Sequence, residues 1–200
     1  MAGGNGGPVD YNDPQQWAHP GLNANAGFSL LHTRVKSGNI NQVDAVIEAG
    51  GVNLLLKTTH EARTPLHLAV FRMHVPIVRS LLGTGVDDPI LYENVTQSLC
   101  VKDRYGQTPL SLAGEKGHPV IVQMLLDRGA SLTSTCLKGE TPKQTAIRME
   151  NGPAVAVFNA EEERRERAIA IAMGHHPRLG EGSLVQQLDP GVLQIVGMFL

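Results

Sequence analysis

A six-residue phrase recurs along this chain, and it limits the available folds more than any other feature. Thr64-Pro65-Leu66-His67-Leu68-Ala69 returns as Thr108-Pro109-Leu110-Ser111-Leu112-Ala113. A weaker copy is Thr141-Pro142-Lys143-Gln144-Thr145-Ala146, and a degenerate earlier one is Ser29-Leu30-Leu31-His32. The copies start at 29, 64, 108 and 141, so the spacings are 35, 44 and 33 residues. A period in that range marks a chain built from similar units laid side by side.

Each phrase reads as the start of a helix. A Thr hydroxyl at the N-cap accepts a hydrogen bond from an amide that has no partner inside the helix. Pro fits the first helical position, where no donor is needed. Leu66, Leu68 and Ala69 then form a narrow apolar face, and the small Ala69 and Ala113 allow close helix approach. Gly38 and Gly117 are placed to end the first helix in the left-handed conformation. A second apolar helix follows, carrying Val43, Val46 and Ile47, then Ile77, Val78, Leu81 and Leu82, then Val120, Ile121, Met124 and Leu125. Gly50, Gly85 and Gly129 are read as its stops. One such helix pair cannot bury its own apolar face, so the copies must stack.

These residues resemble the ankyrin repeat, whose pattern is G-x-T-P-L-H-x-A followed by G-H, I-V, L-L and G-A. Residues 106–130 match it most closely, through Gly106, Thr108, Pro109, Leu110, Leu112, Ala113, Gly117, His118, Ile121, Val122, Leu125, Leu126, Gly129 and Ala130. The resemblance covers about residues 28–160. It implies an all-α solenoid of stacked helix-turn-helix units with short β-turn fingers. There are departures: Met73 stands where the pattern has Gly, Ser111 where it has His, and Lys143 and Gln144 where it has Leu and His. At Met73 either some strain or a different loop is expected. The polar fourth copy fits an end-capping repeat.

The expected organisation has three parts. Residues 1–27, rich in Gly, Pro, Asn and Asp, read as a flexible N-terminal arm. Residues 28–160 form the repeat domain, with an insertion near 87–101. Residues 161–200 form a helical C-terminal extension that caps the stack. The insertion accounts for the 44-residue spacing, which exceeds a regular 33 by 11. It reads as a surface insertion at the finger edge, either tolerated there or serving as a specificity loop that presents Ile90, Leu91 and Tyr92.

In the extension, Glu161–Arg165 and Glu163–Arg167 are helix pairs at i,i+4 in the favourable order. The charge run around them reads as a solvated helix face. The apolar stretch 183–200 needs a cover. It is either a helix packed over the open end of the stack or a docking helix. Leu188-Asp189-Pro190 with Val192, Leu193, Ile195, Val196 and Leu200 resembles the opening helix of an F-box and the closing segment of a SOCS box. That resemblance implies an adaptor that recruits a target to a ubiquitin ligase.

Composition narrows the function. Seventeen basic against nineteen acidic residues leave a net charge of −2, which argues against a general polyanion binder, and no nucleic-acid partner is expected. Cys100 and Cys136 are too few for a disulfide framework or a clustered zinc site, and read as free thiols in a reducing compartment. Residues 1–8 have no basic or apolar run, so they do not read as a signal peptide. No stretch is long and apolar enough for a membrane span. A cytoplasmic or nuclear monomer without a membrane partner is the expectation.

The eight histidines do not form a catalytic pattern. His67 occupies the repeat position where the family's His bonds neighbouring backbone, which implies a structural role. His118 and His74 are read as loop residues of the same kind, and His32 belongs to the degenerate copy. The chain has no G-x-S-x-G, P-loop, G-x-G-x-x-G or H-E-x-x-H motif, so no catalytic, cofactor or metal site is assigned and no enzyme is expected.

The resemblance implies instead a protein–protein interaction module, a scaffold or an inhibitor. Its variable positions lie at the turn tips and on the outward side of the first helix. On this sequence they are His60, Glu61, Arg63, Phe71 and Arg72, then Arg104, Tyr105, Gln107, Glu115 and Lys116. Lys138 follows, with Glu140, Arg148 and Met149 as further fourth-copy equivalents. Tyr92 of the insertion joins them. Only 4% of the chain is aromatic, which suits a thin stack of helix pairs. Phe71, Tyr92 and Tyr105 fall where such a stack does not call for aromatic rings.

Overall fold

In each copy of the repeated phrase, the hydroxyl of the first residue starts a helix. The side chains of Ser29, Thr64, Thr108 and Thr141 accept from the backbone N–H three residues on, at His32, His67, Ser111 and Gln144. The last three copies also carry Pro at the first helical position. These caps open α1 (Leu30–Ser37), α3 (Pro65–Phe71), α6 (Pro109–Lys116) and α8 (Pro142–Arg148). The computed structural model describes residues 29–48, 59–83 and 89–174.

Each first helix stops in the left-handed conformation. Gly38 and Gly117 do so at φ 76° and 73°. Met73 and Glu150 occupy the same repeat position and take φ 57°, a conformation that costs a side-chain-bearing residue roughly 1–2 kcal/mol. Of the two outcomes expected at Met73, strain is the one present, and Glu150 shares it. The chain then reverses into α2 (Ile40–Glu48), α4 (Val75–Leu81), α7 (Pro119–Asp127) and α9 (Gly152–Gly174). His118 caps α7 through Nδ1, which accepts from the Ile121 amide, while His74 sits at the start of α4 without a side-chain cap. The glycine stops read at Gly50 and Gly85 lie outside the described residues. Gly129, at φ 84°, does follow α7.

The first helices form one layer, α1 on α3, α3 on α6 and α6 on α8. The second helices form another, α2 on α4 and α4 on α7. Between the layers lies an aliphatic core that includes Leu31, Val43, Leu66, Ala69, Ile77, Leu81, Leu110, Ala113, Ile121 and Leu125, each 1% exposed or less. The shortage of aromatics has its reason here: Ala69, Ala113 and Ala146 are fully buried where the first helices meet. Of the described aromatics only Phe158 is buried.

The insertion corrects one expectation. It is α5 (Pro89–Cys100), a helix of 12 residues, rather than a loop. Val95, Ser98 and Leu99 are buried at i, i+3 and i+4, so they share one face, and α5 contacts α6. Tyr92 stands on the helix with 62% of its surface exposed. The side chains of Ile90 and Leu91 lie outside the described residues.

The chain divides into two compact units, Met1–Val157 and Phe158–Leu200, with the division inside α9. In the second unit both expected ion pairs are present, Glu161–Arg165 at 2.7 Å and Glu163–Arg167 at 3.1 Å. The run is not wholly a solvated face, because the Glu161 side chain is only 2% exposed. It accepts from Arg164 Nε and Nη2 at 2.7 and 2.8 Å and from Arg165 Nε at 2.7 Å. Burial pushes its carboxyl up, but the hydrogen bonds and charges of the two arginines prevail and hold it below the ordinary range. The N-terminal arm (1–27) and the apolar stretch 183–200 lie outside the described residues. No described helix is long and apolar enough to cross a membrane.

Candidate protein-binding cleft

Five residues before each helix cap of the later copies, the chain makes a tight turn. Thr59, Asp103 and Cys136 each donate a backbone N–H to the carbonyl four residues on, at Arg63, Gln107 and Glu140. The reversal requires a positive φ, supplied by Gly106 at 71° and Gly139 at 76°, and by Ala62 at 56° in the second repeat. Adjacent turns are joined through backbone: the Arg104 N–H donates to the Glu61 carbonyl at 2.9 Å, and the Leu137 N–H to the Tyr105 carbonyl at 3.1 Å. A Cβ on Gly106 would press against the Leu137 backbone, so this close approach needs glycine.

Asp103 fixes the middle turn. Its side chain is fully buried and accepts from the Tyr105 and Gln107 backbone amides at 2.9 and 3.0 Å, and from Arg63 Nε at 3.4 Å. Thr59 does the equivalent work in the second repeat, its hydroxyl accepting from the Glu61 and Arg63 amides at 3.3 Å. Asp103 was not among the residues expected to matter. The signal was available in Asp103-Arg104-Tyr105-Gly106, since an Asp three residues before Gly suits a side-chain-closed turn.

Two buried histidines tie the turns to the helices. His32 Nδ1 accepts from the Ser29 amide at 3.2 Å, and His67 Nδ1 from the Thr64 amide at 3.2 Å. That leaves the hydrogen on Nε2, which donates across the repeat boundary: His32 to the Arg63 carbonyl at 2.9 Å, His67 to the Gln107 carbonyl at 3.1 Å. Burial disfavours the imidazolium form and lowers both groups to about 4. The structural role expected for His67 holds, and His32 repeats it one unit earlier. In the third copy Ser111 replaces His and reaches only the Thr108 hydroxyl, at 3.3 Å.

The turns and the first helices enclose a cleft of about 240 Å³. Six of the expected residues line it: Arg63, Phe71, Tyr105, Gln107, Glu115 and Lys138. Glu140 and Arg148 of the fourth repeat line it as well, together with Leu112 and Cys136, which were not expected. Cys136 is a half-buried free thiol.

Phe71 is the central ring. It is 40% exposed, with the Arg63 guanidinium 5.1 Å and the Lys116 ammonium 4.2 Å from its centroid. Both lie within cation–π range. Tyr105, 48% exposed, carries the Arg104 guanidinium at 5.1 Å. Arg63 also pairs with Glu61 at 2.9 Å, and Arg148 with Glu140 at 3.0 Å. Gln107 Nε2 donates to Glu115 at 2.5 Å.

Lys116, Glu61 and Arg104 therefore border the cleft through these contacts. His60, Arg72 and Tyr92 are exposed residues outside its lining. Among the described residues no group of three or more His, Cys, Asp or Glu side chains is placed to hold a metal ion.

The family model described as ankyrin repeats matches residues 31–136, in three copies. The chain is 31% identical over 94 residues to the putative E3 ubiquitin-protein ligase XBAT31 of Arabidopsis thaliana, covering 46% of this chain and 20% of that protein. It is 30% identical over 111 residues to transient receptor potential cation channel subfamily A member 1 of Homo sapiens, covering 55% of this chain and 9% of that one. It is also 30% identical over 96 residues to the inhibitor of Bruton tyrosine kinase of Xenopus laevis, covering 48% and 6%. The matched stretch is thus a fifth or less of each relative. By name these are a ligase, a channel and a kinase inhibitor, so the likeness carries the repeat architecture and no common activity.

Proposed function

The chain belongs to the ankyrin repeat family, and from that membership we propose that it holds a protein partner in the cleft between its first helices and its turn tips. Ankyrin repeats are protein–protein interaction modules, and the family is generally non-catalytic. The observation that carries the reading is the convergence of Arg63, Phe71, Tyr105, Gln107, Glu115 and Lys138, from three successive repeats, on one cleft. The stack does not use these side chains for its core. Exposed aromatic rings and arginines are residue types enriched where binding energy concentrates in interfaces. The buried histidines and Asp103 hold the turns in place before a partner arrives, which lowers the ordering cost of association. Cys100 and Cys136 are both free thiols, which fits a reducing compartment, so the setting we assign is cytoplasmic or nuclear.

The test is affinity capture by the full chain against the Phe71→Ala/Tyr105→Ala double variant, with circular dichroism confirming that both are folded. The reading predicts loss of the main captured proteins from the double variant. An unchanged set removes the cleft as the partner site.

The ubiquitin-ligase adaptor is the second reading; it rests on the F-box-like and SOCS-box-like pattern of Leu188-Asp189-Pro190 with Val192, Leu193, Ile195, Val196 and Leu200, and one relative is named as a putative E3 ubiquitin-protein ligase. Deleting residues 183–200 separates the two. Loss of ligase components with the fold intact favours the adaptor, and unfolding or aggregation favours an internal cap.

A further inference from the structure

The acids around the cleft are already engaged. Glu61 is paired with Arg63 at 2.9 Å and approached by Arg104 at 3.8 Å. Asp103 is buried and saturated by two backbone amides and Arg63. Glu140 faces Arg148 at 3.0 Å, and Glu115 accepts from Gln107. Two cations stand outside these ion pairs, while the Glu115 charge is met only by the neutral Gln107 amide. Lys116 rests on the Phe71 ring, and Lys138 is exposed at the fourth turn tip. Neither has a carboxylate partner among the described residues. Five cations (Arg63, Arg104, Lys116, Lys138 and Arg148) thus face four carboxylates (Glu61, Asp103, Glu115 and Glu140), so the cleft and its border carry one surplus positive charge in a chain whose net charge is −2.

Its apolar features are equally defined. Phe71 and Tyr105 present ring surface, 40% and 48% exposed; the Lys116 ammonium lies over Phe71, and Lys138 lines the same cleft. At about 240 Å³ the cleft is smaller than the roughly 300–1,000 Å³ of enclosed small-molecule sites. That size suits one or two side chains projecting from a longer chain. Two isolated lysines interspersed with carboxylates do not make the continuous basic track that phosphate backbones require.

We propose that the cleft takes an extended acidic protein segment, whose carboxylates meet Lys116 and Lys138 while an adjacent apolar side chain lies on Phe71 and Tyr105. This rests on the reading of the cleft as the partner site. Charge complementarity then sets the specificity, and the rings supply the desolvated contact.

The test pans a displayed library of random ten-residue peptides against the immobilised full chain, then measures an enriched peptide by fluorescence polarisation. Enrichment of Asp or Glu beside Leu, Ile or Phe is expected. The Lys116→Gln/Lys138→Gln variant should weaken binding about tenfold and flatten its salt dependence. Arg72→Gln, outside the cleft, should leave it unchanged. Circular dichroism checks the fold of each variant.

Neutral or basic peptides whose binding is lost in Phe71→Ala but kept in the lysine variant overturn the acidic ligand and leave the cleft standing. Peptides indifferent to both changes overturn the cleft reading as well. Failure to enrich any peptide, or equal competition by single-stranded DNA, also overturns the proposal.

Discussion

The Nε2–H of His67 donates to the carbonyl of Gln107 at 3.1 Å, so a side chain of the second repeat holds the turn that opens the third. Its Nδ1 is already accepting from the Thr64 amide, and no site remains for a second proton without breaking the cap. His32 is placed identically toward Arg63. Both are lowered from 6.5 to about 4, chiefly by burial. Unfolded histidine binds a proton near 6.5, so the unfolded state takes up protons first as the medium acidifies. Stability from these two groups is full above pH 6.5 and falls between 6.5 and 4, by on the order of 3 kcal/mol each. Urea unfolding across that range should show the decline. His67→Asn should halve its slope, and an unchanged slope would refute the assignment. The loss that comes from Glu161 falls at lower pH, because its carboxyl is held below the ordinary range.

Backbone strain at the ends of the first helices predicts stabilising substitutions. Met73 and Glu150 stand at φ 57° where Gly38 and Gly117 stand in their own repeats. Met73→Gly relieves that strain but gives the unfolded chain more freedom, leaving a net gain of about 0.5–1 kcal/mol. Gly117→Ala goes the other way. Its φ is 73°, and a Cβ there would collide with the Asn151 side-chain amide, which donates to the Gly114 and Glu115 carbonyls at 2.9 and 2.7 Å. Thermal unfolding should show Met73→Gly above wild type and Gly117→Ala below it.

Asp103 should matter more than any exposed acid of the cleft. Removing its carboxylate in Asp103→Ala leaves two turn amides and Arg63 without a buried acceptor, at a cost of about 2–4 kcal/mol. Asp103→Asn keeps one acceptor oxygen and should lose roughly half as much. Glu61→Gln, at the surface, should change stability by less than about 1 kcal/mol. Equilibrium denaturation of the three variants checks the order.

What the sequence disclosed, and what it hid, follows from the range of the interactions. The caps at Thr64, Thr108 and Thr141 bond three residues away, so the local phrase specifies them completely. The turn tips that carry Arg63, Tyr105 and Lys138 follow from the repeat period. The buried state of Asp103 depends on Arg63, 40 residues earlier, and no local pattern carries that pairing. Glu161 reads as one more charge in a charged run, because the arginines that satisfy it are the same neighbours that make the run look solvated. The inserted segment broke the period, and the interruption hid its own spacing of Val95, Ser98 and Leu99.

That inserted helix makes the last prediction, because a packed helix and a surface loop respond differently to truncation. Leu99 is 4% exposed and Val95 2% exposed on the face of α5 that includes Ser98. Leu99→Ala removes buried methyl groups and leaves a cavity, so it should cost about 2–4 kcal/mol. Tyr92→Ala, on a residue 62% exposed, should cost less than about 0.5 kcal/mol. Urea midpoints of the two variants separate the cases. Equal and small losses would mean that α5 adds nothing to the stack. A large loss at Leu99 with none at Tyr92 means that the insertion extends the core through its contact with α6, leaving Tyr92 as a surface ring held on a rigid helix.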